Sequence, residues 1–305
     1  MIQSPSELLK DRINKYSKVI SLPDFKDLDD EIEALQKIVS KKDILVIDGY
    51  TFDSMYQKKM KAFVNKLVTI DDEAAIHMYA DIVINHGNPA IKKSYDTENY
   101  TRLLLGPQYL LAQKAYLESA KTERTVSKID TIFICMGGAD PINITLKVLN
   151  AALQCDFIKK IYVVTGSAYK YQLELRALID RASSIKNICW EKNLDPDQII
   201  ELINRSQIAV ATSSSISLEI CCVKVGLLTG MVAANQRQIH DLLISEDCAI
   251  SVIDFIKCSE QEIVQLINKL NDLDVIEKMM QQQKKLIDGD SDNRLLNEFK
   301  KLSNC

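Results

Sequence analysis

Short uninterrupted apolar runs alternate along this chain with longer stretches whose apolar residues recur every three to four positions. The runs at 19–22, 44–47, 66–70 and 82–84 predict strands, and the stretches 28–40 and 52–63 predict helices. Residues 6–15 are helical in composition, with Pro5 near the first turn. Residues 88–100 are polar and irregular, and the apolar residues 103–105 precede the turn Gly106-Pro107. The charged stretch 120–128 is the best candidate linker. A second series follows it, with strands predicted at 131–136, 161–164, 187–190, 208–211, 226–231 and 249–253. Helices are predicted between them at 144–153, 171–182, 195–205, 216–224 and 235–244, and the tail from 259 is helical. Such alternation makes βαβ units, parallel sheets and helices on both faces. The expectation is an α/β protein of two Rossmann-like domains facing a cleft, residues 1–120 and residues 128–305. Ligands of such sheets sit beyond the carboxyl ends of the strands.

Composition narrows the picture. The 305 residues are enough for two domains, and a hydrophobic fraction of 47% can build their cores. A net charge of −4 offers no basic field, so neither a nucleic acid nor an anionic membrane is expected as partner. Backbone amides at helix N-termini can still bind phosphate on an acidic protein. The eight cysteines are scattered, mostly in apolar runs, and form no C-x-x-C pair, so they read as reduced buried thiols. The start of the chain lacks the basic and apolar regions of a secretory signal. No apolar run approaches the roughly 18 residues of a membrane helix. A cytoplasmic protein without stable membrane insertion is expected, and the sequence names no protein partner.

Three loops at corresponding strand ends carry candidate chemistry. The first contains Gly137, Gly138, Asp140 and Asn143, and paired glycines let a backbone turn sharply close to a ligand. Asp140 or Asn143 serves equally well as a helix cap. The second contains Ser213, Ser214 and Ser215 ahead of a helix, where hydroxyls and free amides suit a phosphate. Glu219 lies about one turn into that helix, where a carboxylate can take a ribose diol or stand solvated. The third contains Asn235 and Gln236, as sugar contacts or caps. No P-loop, G-x-G-x-x-G fingerprint or G-x-S-x-G elbow is present. His77, His86 and His240 have no metal-ligand spacing, so neither metal nor cofactor is expected.

The blocks ILVIDGY (44–50), TIDDEAA (69–75), ADIVIN (80–85), LLGPQYLL (104–111), IFICMGGADPINITLKVL (132–149) and SSSISLEICC (213–222), completed by Asn235-Gln236, resemble the UDP-sugar hydrolase family of the pseudaminic-acid pathway. That family is related to GT-B glycosyltransferases of the lipid II-forming type, and the resemblance covers nearly all of the chain up to about Phe255. It implies a GT-B-like fold, no metal, and water attack on the anomeric carbon of UDP-2,4-diacetamido-2,4,6-trideoxy-β-L-altrose with release of UDP. By position it assigns Ser214, Ser215 and the Gly137–Asp140 loop to the diphosphate and Glu219 to the ribose. Asn143 and Asn235 fall on substrate contacts, and Asp48 and Tyr50 on the sugar side. Two departures stand out. The family's G-x-G-H-x-x-R loop, with its proposed base, is absent, as if the N-terminal domain lacked its first βαβ stretch. Gln113 stands where the family has arginine. Three explanations stay open: a protein that starts further upstream, a paralogue that binds a UDP-sugar without cleaving it, or a substitute base such as Asp72 or His77. A glycosyltransferase is the alternative reading within the same fold.

Overall fold

The computed structural model describes residues 2–3, 10 and 13–303, so the helix expected at 6–15 lies largely outside the described residues. The protein divides into two compact units. One comprises Met1–Asp71, Ala75–Val83 and Tyr95–Arg102; the other comprises Asp72–Ala74, Ile84–Ser94 and Leu103–Cys305.

The second unit is organised by a six-stranded sheet. Its strands run in the order Asn187–Lys192, Lys160–Thr165, Thr131–Cys135, Ile208–Thr212, Gly226–Met231, Ile250–Asp254. Every neighbouring pair is parallel. Counted from its first strand, this is the 3-2-1-4-5-6 order of a dinucleotide-binding Rossmann sheet. Three strands, Thr131–Cys135, Ile208–Thr212 and Gly226–Met231, are buried at every position. Helices cover both faces of such strands, which is why they read in the sequence as unbroken apolar runs rather than alternating ones. The strand order reverses between Thr131–Cys135 and Ile208–Thr212, whose register sets Cys135 opposite Ala211. The loops leaving these two strands are therefore neighbours at the switch point, where an open α/β sheet leaves a crevice.

Helix ends follow local chemistry. Pro196–Asn204 starts at a capping box of Asp195 and Gln198, and Glu260–Lys269 at one of Ser259 and Glu262. The expected tail is three helices, Glu260–Lys269, Leu273–Leu286 and Ser291–Ser303. One helix was not expected, Lys114–Lys121, which packs on Ser215–Val223. The buried Lys224 ammonium ties the two together. It donates to the carbonyls of Ser119, Ala120 and Cys222 at 2.8–3.3 Å, satisfying helix-terminal acceptors that burial would otherwise orphan. The seven described cysteines are free, and six of them are buried.

Towards the N-terminus a four-stranded sheet runs Ile44–Asp48, Lys66–Ile70, Ile82–Asn85, Arg102–Leu105, with the first pair parallel. The stretch 88–100, expected to be irregular, holds a 3-10 helix at Pro89–Ser94 and a short strand at Asp96–Thr97. No helix among the described residues is long and apolar enough to cross a membrane.

Candidate functional site

The glycine loop is shaped by its own backbone. Gly137 adopts φ +90°, a conformation that L side chains rarely take. A Cβ added at Gly137 or Gly138 would meet nothing within 4 Å, so this stretch presents open main chain. From behind, Gly166 packs against it. A Cβ there would lie 2.3 Å from the Gly138 carbonyl oxygen. Asp140 is buried, and its two carboxylate oxygens accept from the amides of Ile144 at 2.8 Å and Thr145 at 2.7 Å. It thereby caps the helix Ile144–Leu153 and places a negative charge over that N-terminus, which leaves it unsuited to an anion. Asn143 sits in the left-handed region at φ +58°, with its Oδ1 accepting from the Tyr169 hydroxyl at 2.6 Å.

The serine loop is built the opposite way. Ser213 is buried, and its amide donates to the Gly230 carbonyl at 2.9 Å. The Thr229 hydroxyl donates to the Ala211 carbonyl, so Ser213 must be the donor in its 2.9 Å bond to Thr229. Ser217 donates to the Thr212 carbonyl at 2.6 Å. These buried hydroxyls hold the turn in one shape, and Ser213 faces the fold rather than a ligand. Ser214 is the N-cap of Ser215–Val223 but makes no side-chain cap bond. Ser214 is half-buried and Ser215 exposed. The N-terminus of this helix therefore keeps its positive dipole end without a capping carboxylate. Of the two neighbouring helix starts, it is the one suited to phosphate.

Glu219 follows one turn on, half-buried. Burial pushes its carboxyl up to about 7, opposed by the neighbouring Tyr116 phenol. Tyr116 is 1% exposed, and its own titration is raised by burial and by Glu219. Cys135, at the end of the first strand, feels both Glu219 and Asp140, and burial pushes its thiol up to about 11. Glu219 thus stands beside the base of the glycine loop. Tyr116 was missed by sequence reasoning, because the helix that carries it was missed. Its signal was the set Tyr116, Leu117 and Ala120 on one face of a stretch of strong helix formers.

The remaining candidates are dispersed. Asn235 is exposed within the 3-10 turn Ala234–Gln236, and the Gln236 Oε1 accepts from the Val232 amide at 2.8 Å. Both precede the helix Arg237–Ser245, which starts two residues later than expected. In the other unit, Asp48 and Tyr50 are exposed at the carboxyl end of the strand Ile44–Asp48. Asp72 is half-buried. His77 has Nδ1 2.9 Å from Asp96 and Nε2 3.3 Å from Glu98. The Asp96 hydrogen bond above all raises its pKa, so it holds its proton to higher pH than a free imidazole. Among the described residues no group of three or more His, Cys, Asp or Glu could hold a metal ion.

Comparison with known proteins finds distant relatives and a shared fold. No family model matches the chain. Uncharacterized protein MJ1062 of Methanocaldococcus jannaschii is 27% identical over 246 residues, 78% of this chain and 49% of that protein. Spore coat polysaccharide biosynthesis protein SpsG of Bacillus subtilis is 29% identical over 200 residues, 64% of this chain and 57% of that protein. The UDP-2,4-diacetamido-2,4,6-trideoxy-beta-L-altropyranose hydrolase of Campylobacter jejuni is 27% identical over 202 residues, 65% of this chain and 69% of that protein. The chain thus spans about half the length of the first two. Among solved structures, S. aureus MnaA with UDP superposes at TM-score 0.66 with 11% identity, covering 99% of this chain and 87% of that one. Acinetobacter baumannii MurG superposes at 0.64 with 9% identity, covering 98% and 90%. The chain is a distant relative of the hydrolase and of SpsG, and its fold is GT-B-like, with two Rossmann-like domains.

Proposed function

We propose that the chain acts on a UDP-sugar, and that it hydrolyses a UDP-activated diacetamido-trideoxy sugar to UDP and the free sugar. The observation that carries the UDP part is the pairing at the switch point. Open Gly137–Gly138 main chain lies beside a helix N-terminus without a capping carboxylate, and Glu219 stands one turn beyond. Diphosphate oxygens would accept from loop and helix amides, chiefly around Ser214 and Ser215. Glu219 would accept from the ribose diol by charge-assisted bonds. Asn143 and Asn235 would contact the rest of the substrate. In the reaction, water attacks the anomeric carbon and the bond to the diphosphate oxygen breaks. The electron pair leaves with UDP, whose developing charge the helix dipole stabilises. The hydrolase among the distant relatives supports water as the acceptor.

A second reading, a UDP-sugar-binding paralogue without turnover, is favoured by one observation. His77, a candidate substitute base, is already engaged by two carboxylates, Asp96 and Glu98, which raise its pKa. Asp72 is the remaining candidate. The test is UDP release from the UDP-diacetamido-altrose by the purified chain with no acceptor added. Release above background is expected. Bound but intact substrate would favour the paralogue, and release only when a sugar acceptor is supplied would favour a glycosyltransferase.

A further inference from the structure

Tyr116 has no part in the proposed contacts, yet its surroundings are unusual. It is 1% exposed, and its hydroxyl oxygen is buried without a hydrogen bond of proper geometry to any described residue. A buried hydroxyl left unpartnered is costly, so such a group is expected to have a partner in some state of the protein. The group beside it is the Glu219 carboxylate, on the helix that packs against its own. Lys224 fixes that packing by gripping Ser119 and Ala120, within one turn of Tyr116.

We infer that Tyr116 is a positioning residue for Glu219: its hydroxyl donates to the ionised carboxylate and turns the carboxylate's remaining lone pairs toward a ribose diol. The inference rests on the reading of Glu219 as the ribose contact. The ionisable groups around Glu219 are Tyr116 on the facing helix, Cys135 on the adjoining strand and Cys222 on its own helix. Lys224 acts on Cys222, and Asp140 on Cys135. Burial pushes the two thiols up to about 11 and about 12, so both stay neutral while Glu219 titrates. A carboxylate with four lone-pair sites can accept one phenol and two ribose hydroxyls at once. Without the phenol donor, the charged form loses a stabilising bond and the carboxyl titrates higher.

The test compares UDP with 2′,3′-dideoxy-UDP by calorimetric titration across neutral pH. The ratio of their dissociation constants isolates the diol and cancels titration of the phosphate. In the wild type this ratio should be large at high pH and collapse as Glu219 protonates. In Tyr116→Phe the midpoint of the collapse should move up by about one pH unit. The UDP-induced rise in melting temperature should shrink in Tyr116→Phe. An unchanged midpoint would overturn the inference. So would a Tyr116→Phe effect of the same size in a Glu219→Gln background, which would show that Tyr116 acts by packing alone. A wild-type ratio near one at every pH would remove the ribose role of Glu219 and this inference with it.

Discussion

Glu219 is held half-buried with its carboxyl near pH 7, and two consequences follow at the scale of the residue. Glu219→Ala should weaken UDP binding by about 1.5–3 kcal/mol, the range for hydrogen bonds to a charged group. Unchanged affinity by titration would return Glu219 to a solvated-face role. The second consequence concerns stability. The folded value lies above the ordinary 4.5, so between these values the folded state holds a proton that the unfolded state has released. Stability from this site is therefore present below about 4.5 and lost as pH rises through about 7. Without ligand, Glu219→Gln should show a flatter decline of melting temperature across that window than the wild type; parallel curves would contradict the assignment. Gly166 is a second sensitive position. Gly166→Ala puts a methyl into the Gly138 carbonyl, so the loop must shift. A destabilisation of about 1–3 kcal/mol in urea unfolding is expected, with weaker UDP binding. A neutral substitution would mean that the loop yields freely. Which serine the fold buries was not legible in sequence: Ser213, Ser214 and Ser215 are alike there, and the buried partner Thr229 sorts them.

At the scale of elements, the helix Lys114–Lys121 and the helix Ser215–Val223 act as a pair, clamped by Lys224. Lys224→Met keeps the apolar stem and removes the donors to three carbonyls. It should cost about 2 kcal/mol of unfolding free energy and weaken UDP binding through Glu219. Loss of stability with full UDP affinity would uncouple the clamp from the site. Burial explains why the strands of the second unit were legible. Strands covered on both faces carry runs such as those at 131–135 and 208–212, and glycine or serine punctuates their ends. The Lys114–Lys121 helix was not legible, because Lys114, Glu118 and Lys121 merge with the charged stretch that follows. The role of Asp140 was ambiguous for another reason. A carboxylate at a loop-to-helix junction is written alike whether it caps the helix or meets a ligand, and only its bonds to Ile144 and Thr145 distinguish the two.

At the scale of the molecule, the Rossmann strand order brings residues 136–143 and residues 213–219 to one switch point, although some seventy positions of sequence separate them. Two helix starts meet there. One is filled by Asp140 and the other carries no capping carboxylate, and the open glycine loop leaves the neighbouring strand. The second of these ends is proposed to hold a uridine diphosphate. Calorimetric titration of the wild-type chain with UDP and with ADP tests it most directly. Saturable binding of UDP, weaker binding of ADP, and loss of UDP affinity in Glu219→Ala are expected. Absence of UDP binding, or equal affinity for the two nucleotides with Glu219→Ala unaffected, would contradict it.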